Sequence, residues 1–118
     1  MEKVYYNKLV ADGLPEKLDR LGSAYSIRVM EQDEYEQELM KKVAEEAREL
    51  SIARTKEEML KELADVLEII DAIKRAKGLS DEEVAEAKAA RLEKRGGFFK
   101  RLYMHWSEDD GYEASKGK

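Results

Sequence analysis

Cysteine is absent from the 118 residues, and proline and histidine occur once each, as Pro15 and His105. Without cysteine the chain has no disulfide, no zinc–thiolate centre and no thiol chemistry. Long apolar runs are also missing. None approaches the roughly 18 residues of a membrane span, and the opening MEKVYYNK has no apolar stretch of a signal peptide. The expectation is a cytoplasmic protein with no membrane partner. Positive charge is not in excess either: the net charge of −5 argues against a nucleic acid polymer as partner.

Charged residues make up 42% of the chain and hydrophobic residues another 42%. That balance indicates a mainly α protein with narrow apolar stripes on heavily charged helices. A chain this short buries little surface by itself, so completion by self-association, as a homodimer or homotetramer, is expected. A single domain is expected over residues 1–106, with 107–118 as a flexible tail that has no apolar anchor.

Pro15 suits the first turn of a short helix, PEKLDRL, closed by Gly22. Asp33 offers a cap for a helix to about Ala53. Thr55 with Glu58, and Ser80 with Glu83, have capping-box spacing and predict helices ending at Gly78 and at Gly96–Gly97. Alternation in YSIRVM (25–30) and FFKRLYMHW (98–106) predicts two strands able to pair, a small two-stranded β element beside the helices.

At about 100° per residue, Leu39, Val43, Ala47 and Leu50 share one face of the first long helix, with Glu46 at its edge and Glu49 one step further round. On the next helix Met59, Leu63, Val66, Ile70 and Ile73 form the arc; Glu62 projects within it, and Asp65 flanks it. Antiparallel packing across the short connection brings the four acids toward one another. Buried carboxylates cost several kcal/mol each unless a basic partner, a proton or a metal compensates them. Hard oxygen donors in this number suit Mg²⁺, or Mn²⁺. Spacing alone equally fits ordinary solvated faces, with Arg48, Lys56 or Lys61 as surface ion-pair partners.

Glu46-x-x-Glu49 followed by Glu62-x-x-Asp65 resembles the signature of the MazG-type all-α nucleoside triphosphate pyrophosphatase superfamily. NKLVADGLP, KELADVLEII and EKRGGFFKR extend the likeness to small house-cleaning pyrophosphatases over residues 5–106. The resemblance implies an oligomeric helical bundle that hydrolyses the α–β phosphoanhydride of noncanonical NTPs, releasing the monophosphate and pyrophosphate. It implies Mg²⁺ on Glu46, Glu49, Glu62 and Asp65. The proton acceptor is left open among these acids, Glu45 and Glu68. Phosphoribosyl-ATP pyrophosphohydrolase is a variant within the same class.

Relatives usually read KLVRDKIP where this chain has Ala11 and Gly13 in place of two cations, although Lys8 and Asp12 remain as candidate substrate contacts. They also tend to carry an acid where Phe99 stands. These departures sustain a second expectation, a catalytically silent helical dimer that serves as an interaction module. Arg91 and Arg95 lead into Gly96 and Gly97, a set that suits phosphate binding and equally suits the end of a helix. No Walker loop is present.

Overall fold

A computed structural model describes residues 2–109. Its four helices are α1 (Leu14–Arg20), α2 (Gln32–Ile52), α3 (Lys56–Lys77) and α4 (Asp81–Arg95). None is long and apolar enough to cross a membrane. The chain divides into two compact units, Met1–Glu83 and Val84–Lys118, so the domain expected over 1–106 spans both. Most of the tail expected at 107–118 lies outside the described residues.

Both capping boxes form. Thr55 Oγ1 accepts from the Glu58 amide at 3.1 Å, and Glu58 Oε1 accepts in return from the amides of Arg54 and Thr55. Ser80 and Glu83 exchange the same pair of bonds at 3.0 and 2.9 Å. Each box satisfies amides that the first turn would otherwise leave without partners. Gly78 ends α3 at φ 70°, in the left-handed region that a side chain disfavours. The start of α2 differs from expectation. Glu31 holds the cap position without a side-chain bond, and Asp33 lies inside the first turn, where its charge complements the helix dipole.

Three residues separate α2 from α3, and a loop that short returns the chain antiparallel. The far end of the hairpin is pinned as well. Gln32 donates to the Ala76 carbonyl at 3.2 Å, and Lys77 pairs with Glu36 at 2.9 Å. Along the seam, Leu39, Val43, Glu46 and Leu50 meet Glu62, Val66, Ile69 and Ile73, both sets spaced by four, three and four residues. Leu39 is the one apolar side chain fully buried among the described residues, at 2% exposure.

The described residues contain no strand. Residues 25–30 form no regular element and have no neighbouring strand to bond. Side chains tether them instead: the Tyr25 hydroxyl donates to Asp19 at 2.8 Å, and Arg28 grips Glu34 through two bonds of 2.8 Å. In 98–106 a turn at Phe99–Lys100 and a left-handed Arg101, φ 61°, interrupt the extension that alternation had suggested. Alternation describes which way side chains point; a strand also needs backbone bonds to a neighbour. The α3 arc is corrected too. Val66 and Ile73 turn inward, while Met59, Leu63 and Ile70 are exposed.

Candidate metal centre

Glu46 and Glu62 occupy seam positions where the pattern calls for apolar residues. The antiparallel register sets them across from one another, each six residues from the loop end of its helix, nearly two turns. Asp65, one turn further along α3, joins them: one carboxylate oxygen from each of the three lies within 4.8 Å of the others. Glu62 is 9% exposed. Its Oε1 accepts from Lys61 Nζ at 3.1 Å, while its Oε2 is buried with no hydrogen-bond partner. An ionised oxygen left in that state costs at least about 1–3 kcal/mol.

Lysines line the rim. Lys61 also reaches Asp65 at 3.4 Å, and Lys42 reaches Glu45 at 3.0 Å and Glu46 at 3.6 Å. Lys8, carried by the segment before α1, contacts Glu45 at 3.3 Å. Lys61 was among the partners that spacing offered; Lys42 was not. Its place three residues before Glu45 and four before Glu46 was the available signal.

These contacts divide the acids electrostatically. The hydrogen bond from Lys42 is the largest influence on Glu45 and, aided by Lys8, holds its carboxyl below the usual range. Glu46 moves the other way. Burial raises its carboxyl first, the facing Glu62 carboxylate raises it next, and Lys42 only partly opposes them. A proton on Glu46 would supply the donor that Glu62 lacks.

The other candidate residues are placed differently. Glu49 and Glu68 are exposed and are not members of the three-acid group. Asp12 is exposed in the turn before α1, beside Ala11 and Gly13. Arg91, Arg95, Gly96 and Gly97 belong to the second unit. There Arg95 stacks 4.9 Å over the Phe98 ring and donates to the Gly96 carbonyl at 2.9 Å, so its guanidinium is engaged locally. Gly96, at φ 79°, ends α4 as a left-handed cap. His105 packs edge-on against Tyr103.

Three carboxylates offering hard oxygens, one of them orphaned and buried, suit a small divalent cation better than they suit water or a single exposed lysine. Such a cation would give Glu62 Oε2 its missing partner. No protein-family model matches the chain, and comparisons with curated proteins and with solved structures find no match.

Proposed function

We propose that the chain is a Mg²⁺-dependent nucleoside triphosphate pyrophosphatase that cleaves the α–β phosphoanhydride of noncanonical NTPs. The observation that carries this reading is the convergence of Glu46, Glu62 and Asp65 around a buried, unpartnered Glu62 oxygen. The order of the Glu-x-x-Glu, Glu-x-x-Asp signature and its two flanking segments supports it. Assembly as a homodimer or homotetramer belongs to the same reading, supported by how little apolar surface one copy buries.

Glu46, Glu62 and Asp65 would hold the cation, with Mn²⁺ as an alternative to Mg²⁺. Glu49, on the turn after Glu46, is the fourth acid that the resemblance implies. When bound, such an ion compensates the charge of polyphosphate oxygens and makes water more acidic. The protein's own groups do the rest. Lys42 and Lys61 fix the outer carboxylate oxygens and bring positive charge to the rim. Lys8, tethered by Glu45, is available to an incoming phosphate. The proton acceptor stays open among the four acids, Glu45 and Glu68; the last two lie outside the three-acid group, and Glu45 is already bonded to Lys42 and Lys8.

The test is pyrophosphate release from a panel of ordinary and damaged NTPs with Mg²⁺, run beside Glu62→Gln. Metal-dependent release by wild type, lost in the variant, is expected. No release from any nucleotide by folded protein with Mg²⁺ or Mn²⁺ would favour the silent dimer, in which Ala11 and Gly13 mark the loss of phosphate-binding cations. Release confined to phosphoribosyl-ATP would move the chain to the other enzyme of the same class.

A further inference from the structure

Helix α4 separates its charges. At about 100° per residue, Lys88, Arg91 and Arg95 fall within roughly 60° of arc, with Lys94 beside them. Glu86 and Glu93 lie together on the opposite side. Asp81, at the start of the basic face, is taken by Lys74 at 2.8 Å. Like charges three and four residues apart repel, whereas acids interleaved among them would have paired. The helix dipole accounts for Lys94 and Arg95 in the last turn, but not for Lys88 and Arg91.

The basic face runs on into a stretch of exposed rings. Phe98 is 83% exposed, Phe99 96%, Tyr103 83% and Trp106 77%. Phe98, Leu102, Tyr103, Met104 and His105 line an open hollow. Residues 88–106 hold six cations and one acid, so the excess of acid behind the net charge of −5 lies elsewhere. None of these six cations pairs with an acid among the described residues, where the ion pairs run from Lys8 to Asp81. Arg95 donates to the Gly96 carbonyl and lays its guanidinium over the Phe98 ring, whose face is thus open to a planar group.

We propose that the basic face of α4 and the rings of residues 98–106 form a binding surface for single-stranded nucleic acid, the cations taking phosphates and the rings stacking bases. Unpaired cations call for a polyanion, and exposed rings call for flat apolar groups carried by it. A nucleic acid strand supplies both, and an unpaired strand leaves its base faces free to stack. An inorganic polyphosphate would leave the rings in water. A helix lying on a membrane needs an apolar face opposite its charges, and α4 carries Glu86 and Glu93 there. Every residue of the surface belongs to the second unit. The inference is therefore independent of the acid cluster and of the pyrophosphatase reading.

Trp106 is the one tryptophan of the chain, so its emission reports on this surface directly. Oligo-U and oligo-dT of about 12 nucleotides, within the range of single-strand sites, are titrated into the full chain in EDTA. Saturable quenching is expected, with log K falling against log salt at a slope of about −2, as three phosphate contacts give. Lys88→Gln with Arg91→Gln should bring the slope to about −0.7 and weaken binding at least about tenfold. Phe99 stands in water in the free chain, so Phe99→Ala spares the fold. It should weaken binding about tenfold with the slope unchanged, the mark of lost stacking. A preference between the two oligomers tells RNA from DNA. No quenching by either at low salt would overturn the proposal. Displacement by a nucleoside triphosphate at equal phosphate concentration would also overturn it, giving the face to the substrate. Displacement by heparin together with an unaffected Phe99→Ala would leave only a general polyanion site. Binding to phosphatidylserine vesicles, without binding to either oligomer, would assign the surface to a membrane instead.

Discussion

Toward α2, helix α3 turns Glu62 with Val66, Ile69 and Ile73; round its other flank it leaves Leu60, Leu63, Leu67 and Ile70 in water. A carboxylate is buried while leucines are exposed, the reverse of the usual partition. Each face is incomplete in its own way. The inner one lacks a positive charge for Glu62 Oε2, and the outer one lacks an apolar surface to cover it. Such a helix is not optimised for one copy in plain water. On the function proposed above, the inner face would take a cation; the outer face is exposed apolar surface.

Glu62→Gln breaks the inner face most severely. If the acids hold Mg²⁺, removing this ligand should lower pyrophosphate release by at least about 100-fold, the upper range seen when only a supporting residue of a metal site is lost. The metal-free variant should be as stable as wild type or more so, because a repulsive buried charge has gone. Mg²⁺ should raise the Tm of wild type and leave the variant's Tm unmoved. Thermal melts with and without metal check both statements. Unfolding of the variant, with wild type indifferent to metal, would make Glu62 a structural residue.

Leu39→Ala and Leu67→Ala compare the faces by packing. Leu39 is enclosed, so its truncation should cost about 2–5 kcal/mol by leaving a cavity between α2 and α3. Leu67→Ala removes nothing that one copy buries. Its effect should therefore depend on protein concentration, growing where dimer dominates and fading on dilution. Urea melts at two concentrations separate the cases. Equal, concentration-independent losses would mean that both leucines lie in the core of a single copy.

This comparison also shows where the sequence was legible. The limits of α3 and α4 were, because Thr55–Glu58, Ser80–Glu83, Gly78 and Gly96 are local devices whose chemistry acts within a few residues. The convergence of the acids was legible in part: a three-residue loop fixes the antiparallel register that brings Glu46, Glu62 and Asp65 together, but Glu49, expected with them, is exposed and outside the group. The inward half of α3 was not. Apolar residues from Met59 to Ile73 cover about 180° of that helix, and periodicity cannot say which part α2 takes and which part waits for another surface. The strands at 25–30 and 98–106 failed for a related reason: alternation is a property of one segment, and pairing is a property of two.

Thr55→Ala should cost about 1 kcal/mol by releasing the Glu58 amide and loosening the reciprocal bond. The cap fixes where α3 starts, and through that its rotation against α2. Equilibrium urea unfolding measures the loss, and Thr55→Ser should restore most of it. A Thr55→Ala protein of unchanged stability would mean that tertiary packing alone sets the register of α3.

The smallest expected effect is a difference in pH dependence without metal. Glu46 has a raised carboxyl pKa in the folded protein, chiefly from burial and then from Glu62. Above the unfolded carboxylate range the native state therefore holds more proton than the unfolded chain, and stability falls as pH rises through the folded value. Glu34, Glu36, Glu58 and Asp81 have lowered values, set chiefly by their bonds to Arg28, Lys77, the Arg54 amide and Lys74. They contribute the opposite slope, with stability lost on acidification through their folded values. The net curve mixes the two signs, so the informative quantity is wild type minus Glu46→Gln. That difference should move against wild type as pH rises above about 4.5, the ordinary glutamate value. Mg²⁺ should reverse it, because a cation compensates the ionised cluster better than a shared proton does. Urea midpoints from pH 4 to 8, with and without Mg²⁺, measure both trends. A flat difference in both series would mean that Glu46 keeps its carboxylate in water, and the inner face of α3 would then have no need of a cation.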